Sequence, residues 1–414
     1  MKNVLLIGNG FDLHHKLPTK YADFMCIAEY LTYKGFLMQP KTIGDIFSKC
    51  KDNENINDCY SAHKAVFDVV EFNSEDITRI ANLLGDNIWF NYFLHTFNKD
   101  LGWIDFEKEI SNVISVLDRI IIPNDKVALL PQNELLPPFI LKNFDFFVNV
   151  YNTATIMAGE KVNISNKYLW EYPYNSGIYI SDKKKIFDEL YVRLQEFTCA
   201  LKLYFRNFIE TPLDLLKKDN CVNEILTELT GFVEDVISFN YTSTLEKMYS
   251  CKNVCHIHGN IADDKIVLGV NPNKSDDVDT SNTSLIKFKK YYQRDVLSTD
   301  PEYLNWYRQT IITGVEYRII VFGHSLDVTD KDILSDMFRH ANEIYIIYHD
   351  KKRRDDYFNN LVRLFGYDEF NEFKTEKHLA FISLLNIEVL LDKMKPQQIE
   401  WQFYGDSKEQ IVVI

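Results

Sequence analysis

The chain contains no run of about 18 apolar residues, so it offers no helix for crossing a bilayer. Positive charge is also in short supply: 46 Lys and Arg stand against 60 Asp and Glu, a formal net charge of −14. A sequence-independent hold on nucleic-acid phosphates needs clustered cations, so this balance argues against it and leaves only a local basic groove open. The N-terminus has one Lys and then a short apolar run, too short for the core of a secretion signal. The cysteines (Cys26, Cys50, Cys59, Cys199, Cys221, Cys251, Cys255) are odd in number and scattered. They read as reduced thiols, and the expected location is the cytoplasm. No repeat at solenoid periods is present.

What is there is apolar and aromatic. Hydrophobic residues make up 46% of the chain, enough to build a core, and most of the 29 Phe and 24 Tyr are expected inside it. A length of 414 residues allows two or three domains, or one domain with a large insertion. Lys2–Ile7 reads as a buried strand stopped by glycine. Lys20–Tyr33 reads as a helix, with Pro18 before it and Thr19 as N-cap. Strand signals then vanish. Glu75–Leu84, Trp89–Phe97, Phe106–Ile121 and Lys184–Phe208 carry apolar residues at helical spacing. Ser48–Ser61 reads as an exposed loop, and Pro131–Pro138 breaks the helical pattern.

Strands return at Asp235–Phe239, Asn253–Ile257, Lys265–Val270, Tyr317–Phe322 and Glu343–Tyr348. Most lack clean alternation, as strands covered on both faces do. Asn271–Ser284 is a candidate mobile loop, and Lys351–Asp356 reads as a solvated turn leading into a helix. The economical fold is α/β: a mostly parallel sheet built from residues 1–34 and 231–414, with residues 35–230 a mainly helical insertion after the first βα unit.

Four motifs carry candidate chemistry. Gly8-Asn9-Gly10 ends the first strand in front of a helix, the arrangement of an anion site; Leu13 stands where a dinucleotide fingerprint wants its third glycine, and a tight turn without ligand fits equally. Asn240 ends the strand Ile237-Ser238-Phe239, where it can orient a water or a ribose hydroxyl, or simply cap. In His256-Ile257-His258-Gly259, Cys251 and Cys255 lie near two histidines, but the spacing suits no usual metal knuckle. His258 reads instead as a single base facing a cleft, with no metal expected. In Phe322-Gly323-His324-Ser325-Leu326-Asp327, Gly323 and the Ser325 hydroxyl are placed to receive phosphate or ribose oxygens. Asp327 removes the second glycine of a nucleophile elbow, and Thr329 with Asp332 has capping-box spacing. All four motifs fall at predicted carboxyl ends of strands, the edge at which open α/β sheets bind nucleotides.

The ordered set "GNGFDLHHKLPTKYADF", "WIDFE", "VISFNYTSTLE", "HIHG", "LGV" and "VFGHSLDVTDKDIL" resembles the AbiH family of bacteriophage abortive-infection proteins. That family in turn looks like a distant branch of the SIR2-like, Rossmann-type fold of sirtuins and bacterial defence NADases. The resemblance implies a phage-defence effector that hydrolyses NAD+ to nicotinamide and ADP-ribose when a phage-derived trigger arrives. It places the diphosphate-binding turn on Gly8, Asn9 and Gly10, the strand-end Asn on Asn240 and the catalytic His on His258. The motif that holds adenosine-side oxygens falls on Gly323, Ser325 and Leu326, with His324 between them counted in the same binding turn. Three departures stand out. Asp12 replaces the serine of the first motif and brings negative charge toward a pyrophosphate unless it turns away. Tyr241-Thr242 replaces the Asp that recognises the carboxamide. The four-cysteine zinc ribbon is missing, which argues against protein deacylation.

Cleaving the nicotinamide–ribose bond needs no general acid, because the pyridinium leaves as neutral nicotinamide. It needs a placed water, a base and support for an oxocarbenium-like sugar, roles that Asn240 and His258 suit. In Trp103-Ile104-Asp105-Phe106-Glu107, one carboxylate steadies that sugar from the insertion, or the segment is a solvated helix start capped by Asp. His14-His15 reads as loop polarity. The rival readings are a sensor that binds an NAD- or ADP-ribose-type nucleotide without turnover, and a toxin acting on nucleic acid through carboxylate-bound Mg2+. A homo-oligomer is left open.

Overall fold

The computed structural model describes residues 1–33, 40–97, 104–120, 149–151, 161–163, 169–171, 178–180, 183–218, 222–271 and 284–395. Six strands form one all-parallel sheet: β1 (Lys2–Ile7), β2 (Asp235–Ser238), β3 (Val254–His256), β4 (Tyr317–Phe322), β5 (Glu343–Tyr348) and β6 (Ala380–Ser383). Their order is β6-β5-β4-β1-β2-β3, which puts the first strand in the middle. The sequence shows why β1 belongs there. Val4 and Leu6 enter one apolar layer with Trp306, Leu334 and Phe338, while Leu5 and Ile7 enter the opposite layer with Leu226, Leu229 and Leu390. A strand with two buried faces needs apolar side chains at every position.

The register levels the strand ends. Ile7 pairs with Ser238 on one side and with Phe322 on the other, and Ser238 pairs with His256. Four turns therefore leave the sheet from one row. Two of them touch: the Gly10 N–H donates to the Gly323 carbonyl at 2.7 Å. A Cβ on Gly323, which has φ +71°, would stand 2.3 Å from the Phe11 nitrogen.

A third core lies beyond this edge. Helices α1 (Asn9–His14) and α2 (Tyr21–Tyr33) follow β1; α3 (Phe106–Ile120) and α4 (Lys183–Phe205) belong to the insertion. Phe24 of α2 packs edge-on against Phe106 and Phe197, and Phe93 lies 4.6 Å from Phe106 between ring centroids. Tyr241, Leu268 and Phe288, all from the sheet half of the chain, share this core. After α4 the chain widens into one π-helical turn, Arg206–Glu210, directly before Pro212, which has no N–H to offer an α-helical ladder.

Some expectations need correction. Lys265–Val270 is no strand: apart from one isolated bridge at Val270, the Lys265 and Val267 N–H groups bond the carbonyls of Asn260 and His258, and the Gln293 amide bonds both the N–H and the carbonyl of Leu268. Ser48–Ser61 contains a helix, Glu54–Ala62, whose N-cap Asn53 also reads as a turn residue. Thr19 does not cap α2: its hydroxyl donates to Asn9, and the Asp23 carboxylate takes the Lys20 N–H instead. Lys351–Asp356 already belongs to a helix, Lys351–Phe365, capped by Asp350. The half-buried edge strand β6 escaped the sequence reading. Two short antiparallel pairs (Asn149–Tyr151 with Lys161–Asn163, Leu169–Glu171 with Ile178–Ile180) occur in the stretch read as mainly helical. Pro131–Pro138, Trp103 and nearly all of the Asn271–Ser284 loop lie outside the described residues. No described helix is long and apolar enough to cross a membrane. The six described cysteines form no disulfide.

Gly323 and Gly314 share a left-handed backbone, but nothing lies within 4 Å of a Cβ added at Gly314. Gly314→Ala should cost ~1–2 kcal/mol, the conformational penalty alone. Gly323→Ala should cost at least ~2 kcal/mol more through overpacking, measured as the difference between their unfolding midpoints in denaturant.

Candidate functional site

The turn after β1 is built for close approach. A Cβ on Gly8 would lie 2.7 Å from the His324 Cα, and one on Gly10 2.6 Å from the Gly323 carbonyl oxygen. These glycines thus let the turns after β1 and β4 touch, and one turn donor, the Gly10 N–H, is spent on that contact. Asn9 accepts a hydrogen bond from the Thr19 hydroxyl at 2.5 Å. Ser325 is exposed, and its carbonyl accepts from the Asn360 amide.

Asn240 sits on the turn after β2 and is 5% exposed. Its carbonyl accepts from His256 Nδ1 at 2.9 Å, while its side-chain amide nitrogen is buried with no hydrogen-bond partner. His256 Nε2 meets Glu246 at 2.6 Å. Both His256 nitrogens face acceptors, which favours the doubly protonated ring. Burial alone would lower its pKa, but the Glu246 carboxylate and the Asn240 carbonyl outweigh burial and raise it. His256 therefore holds the Asn240 backbone and is not a second base beside His258. Asp12 has turned away from the glycine turn: it accepts from the Thr242 hydroxyl at 2.7 Å, and its other oxygen is buried without a partner. Burial pushes the Asp12 carboxyl up to about 7, against the pull of Thr242 and Thr244.

His258 follows β3. Its Nε2 lies 3.0 Å from Asp330 Oδ1, and Asp330 Oδ2 lies 3.4 Å from His324 Nε2. The Phe239 ring stands 5.4 Å from the His258 ring and 4.3 Å from that of His324. His324 Nδ1 accepts the Leu326 N–H, so the neutral ring carries its proton on Nε2, toward Asp330. Asp330 is likewise an acceptor for His258, which leaves His258 Nδ1 unprotonated; that atom is buried without a partner. Burial, helped by the Lys290 charge, pushes the His258 pKa down to about 4, so the ring is neutral at pH 7.

Behind Asp330 stands Lys290, 1% exposed, the first residue of α5 (Lys290–Leu297). Its ammonium reaches Glu107 at 2.8 Å, Asp330 at 2.9 Å and the Thr329 carbonyl at 3.1 Å. Three N–H bonds meet three acceptors. Burial alone would discharge this lysine, but Asp330 and Glu107 together outweigh it and keep it protonated. Burial would also raise Asp330, yet Lys290 and the imidazoles hold it well below the usual carboxylate range. Glu107 moves the other way: burial raises its carboxyl against the pull of Lys290. Asp105 and Glu107 thus divide their work, since Asp105 caps α3 through the Lys108 N–H while Glu107 points inward.

Neither Lys290 nor Asp330 was singled out from sequence. Asp330 lies inside a quoted motif but beyond its strand end, and a lysine amid "FKKYY" looks like any surface cation. Asp332, read as the partner of Thr329 in a capping box, pairs with Arg294 instead; Asp327 accepts the Thr329 N–H. The His14-His15 pair is structural as well as polar: His15 is buried, bonded to the Phe11 carbonyl and the Tyr249 hydroxyl. Among the described residues, no group of three or more His, Cys, Asp or Glu is arranged to hold a metal ion. An open cavity of about 450 Å3 beside Tyr345, Lys374 and Lys393 lies at the amino end of β5 and β6 and gathers none of the motif residues.

Comparison with known proteins adds one match. The profile of the family described as bacteriophage abortive infection AbiH aligns with residues 4–349, which takes in every motif above. No curated protein and no solved structure matches the chain.

Asp12 supplies a pH test. Its folded pKa of about 7 lies above the ordinary 3.8, so the fold binds its proton more tightly than the unfolded chain does. The cost of ionising it therefore accumulates between pH 3.8 and about 7 and is constant above that. Asp12→Asn should be more stable than wild type by ~2–4 kcal/mol at pH 8 and should lose that advantage near pH 4, as read by urea unfolding across pH.

Proposed function

This chain belongs to the bacteriophage abortive infection AbiH family, and from that premise we propose that it acts as an NAD+ glycohydrolase, releasing nicotinamide and ADP-ribose once infection triggers it. The carrying observation is that Asn240 and His258 follow neighbouring strands whose ends are level with those of β1 and β4, where the glycine turns also lie. Each presents a buried polar atom, Asn240 Nδ2 and His258 Nδ1, with no partner in the protein. Buried polar groups are rarely left unmatched, and those that are point to a ligand or an ordered water. The SIR2-like relationship drawn from the motifs belongs to this proposal too.

The chemistry follows from the donor and acceptor set. As the C1′–N bond breaks, its electron pair returns to the pyridinium ring, and nicotinamide leaves neutral. Water bonds to C1′ from the other side. Its proton goes to His258 Nδ1, the one unprotonated nitrogen of that ring. A base with a pKa near 4 is weak toward free water, but water bonding to an oxocarbenium carbon is strongly acidic. A positioned base of this kind contributes about 10²–10⁴-fold. The ionised Asp330 at Nε2 stabilises the imidazolium that forms, and the Asn240 amide donates to the water or to a ribose hydroxyl. The turns at Gly8-Asn9-Gly10 and Gly323-His324-Ser325 flank the dinucleotide. Asp12 and Thr242, bonded to each other, line it, and the pKa of about 7 that burial gives the Asp12 carboxyl lessens its negative charge beside the diphosphate.

Bacteria carrying the protein should lose NAD+ after phage challenge, with nicotinamide and ADP-ribose appearing together. Asn240→Ala and His258→Ala should each slow that loss by ~10²-fold or more. Equal depletion in all three strains removes both residues from the mechanism. Saturable binding of ADP-ribose by the purified protein, with no NAD+ loss in infected cells, establishes the sensor instead.

A further inference from the structure

Lys290 and Glu107 have no role in the reaction just described, yet they form its most enclosed set of charges. Glu107 comes from α3 in the insertion, Lys290 begins α5, and Asp330 ends the short 3-10 turn Val328–Asp330 before helix α6 (Lys331–His340). The ammonium touches all three segments through Glu107, Asp330 and the Thr329 carbonyl. Its three protons are fully engaged, so it has none for a phosphate. The Asn271 amide also donates to the Thr329 carbonyl and so ties down the same turn. Nearby aromatic contacts align the insertion with this edge: Tyr21 stacks on Phe106 at 4.3 Å, and its hydroxyl lies 3.4 Å from that of Tyr241.

We propose that Lys290 and Glu107 are positioning residues for His258: the insertion's carboxyl anchors the ammonium, the ammonium anchors Asp330, and Asp330 fixes which imidazole nitrogen faces the ligand. The two domains thus share one site, and its base is in place only while the insertion is seated. The inference rests on reading His258 as the base, but its geometric content can be tested without any substrate. The charged groups acting on His258 are Lys290, Asp330 and Arg294, with the neutral His324 across Asp330.

The experiment is a pH titration of the full-length protein, ¹⁵N-labelled at histidine and followed by NMR. Wild-type His258 should be neutral at pH 7 with its proton on Nε2. Lys290→Met removes the nearest positive charge and should raise the proton affinity of His258 by about tenfold or more. Glu107→Ala, which frees the ammonium to turn away, should move it in the same direction. Glu107→Gln keeps an acceptor for Lys290 and should titrate like wild type. Unchanged titration and tautomer in Lys290→Met and Glu107→Ala overturns the proposal. So does loss of folding in both beside a folded, wild-type-like Glu107→Gln, because the pair would then be scaffold alone. If His258 responds as expected but infected cells keep their NAD+, the positioning role stands and the glycohydrolase reading falls.

Discussion

A single ammonium, enclosed where the helical insertion meets the sheet, is the constraint on which the rest depends. A lysine this deeply buried survives only with its charge matched and every proton placed. Glu107, Asp330 and the Thr329 carbonyl supply those partners. Removing one partner from such a set typically costs ~3–5 kcal/mol, a large share of the stability of any domain. The insertion is therefore an integral layer of the protein. Its ring cluster around Phe106 and the apolar residues of the loops after β2 and β3 form one continuous core.

The second constraint is the parallel sheet itself. Parallel strands end on the same side, and here four end on the same row, so their turns have to crowd together. Glycine makes that tolerable. Gly8, Gly10 and Gly323 pack backbone on backbone where any Cβ would collide. A glycine turn at a strand end thus has two physical explanations, approach of a ligand and approach of a neighbouring loop. The structure displays the second; the family and the unmatched Asn240 and His258 atoms motivate the first.

The centre of the fold was legible because its strands are buried on both faces. β1, β4 and β5 each carry a run of at least four apolar residues, and the structure has them with the expected ends. β6 is short and half exposed, so its AFIS segment carries no such signature. The opposite error at Lys265–Val270 has a related cause. Ile266, Val267 and Leu268 are as buried as strand residues, but a glutamine side chain takes the place of a neighbouring strand. Within the site, residues at strand ends could be found, because glycine, asparagine and histidine are conspicuous there. Lys290 and Asp330 could not, since a buried ion pair between distant segments leaves no local periodicity. The glycine that follows it marked His258, rather than His256 two residues before, as the candidate base. Their partners differ as well: His256 faces two acceptors that raise its pKa, while His258 shares a carboxylate with a lysine and is neutral.

The central position of β1 has a consequence for how the protein comes off the ribosome. The first segment synthesised has no sheet neighbour until Asp235 emerges on one side and Tyr317 on the other. The turn bearing Asp330 is later still, so 330 of 414 residues must exist before His258 meets its carboxylate. Long-range pairing of this kind is slow. A nascent or truncated chain therefore lacks the assembled edge on which His258 and Asp330 meet.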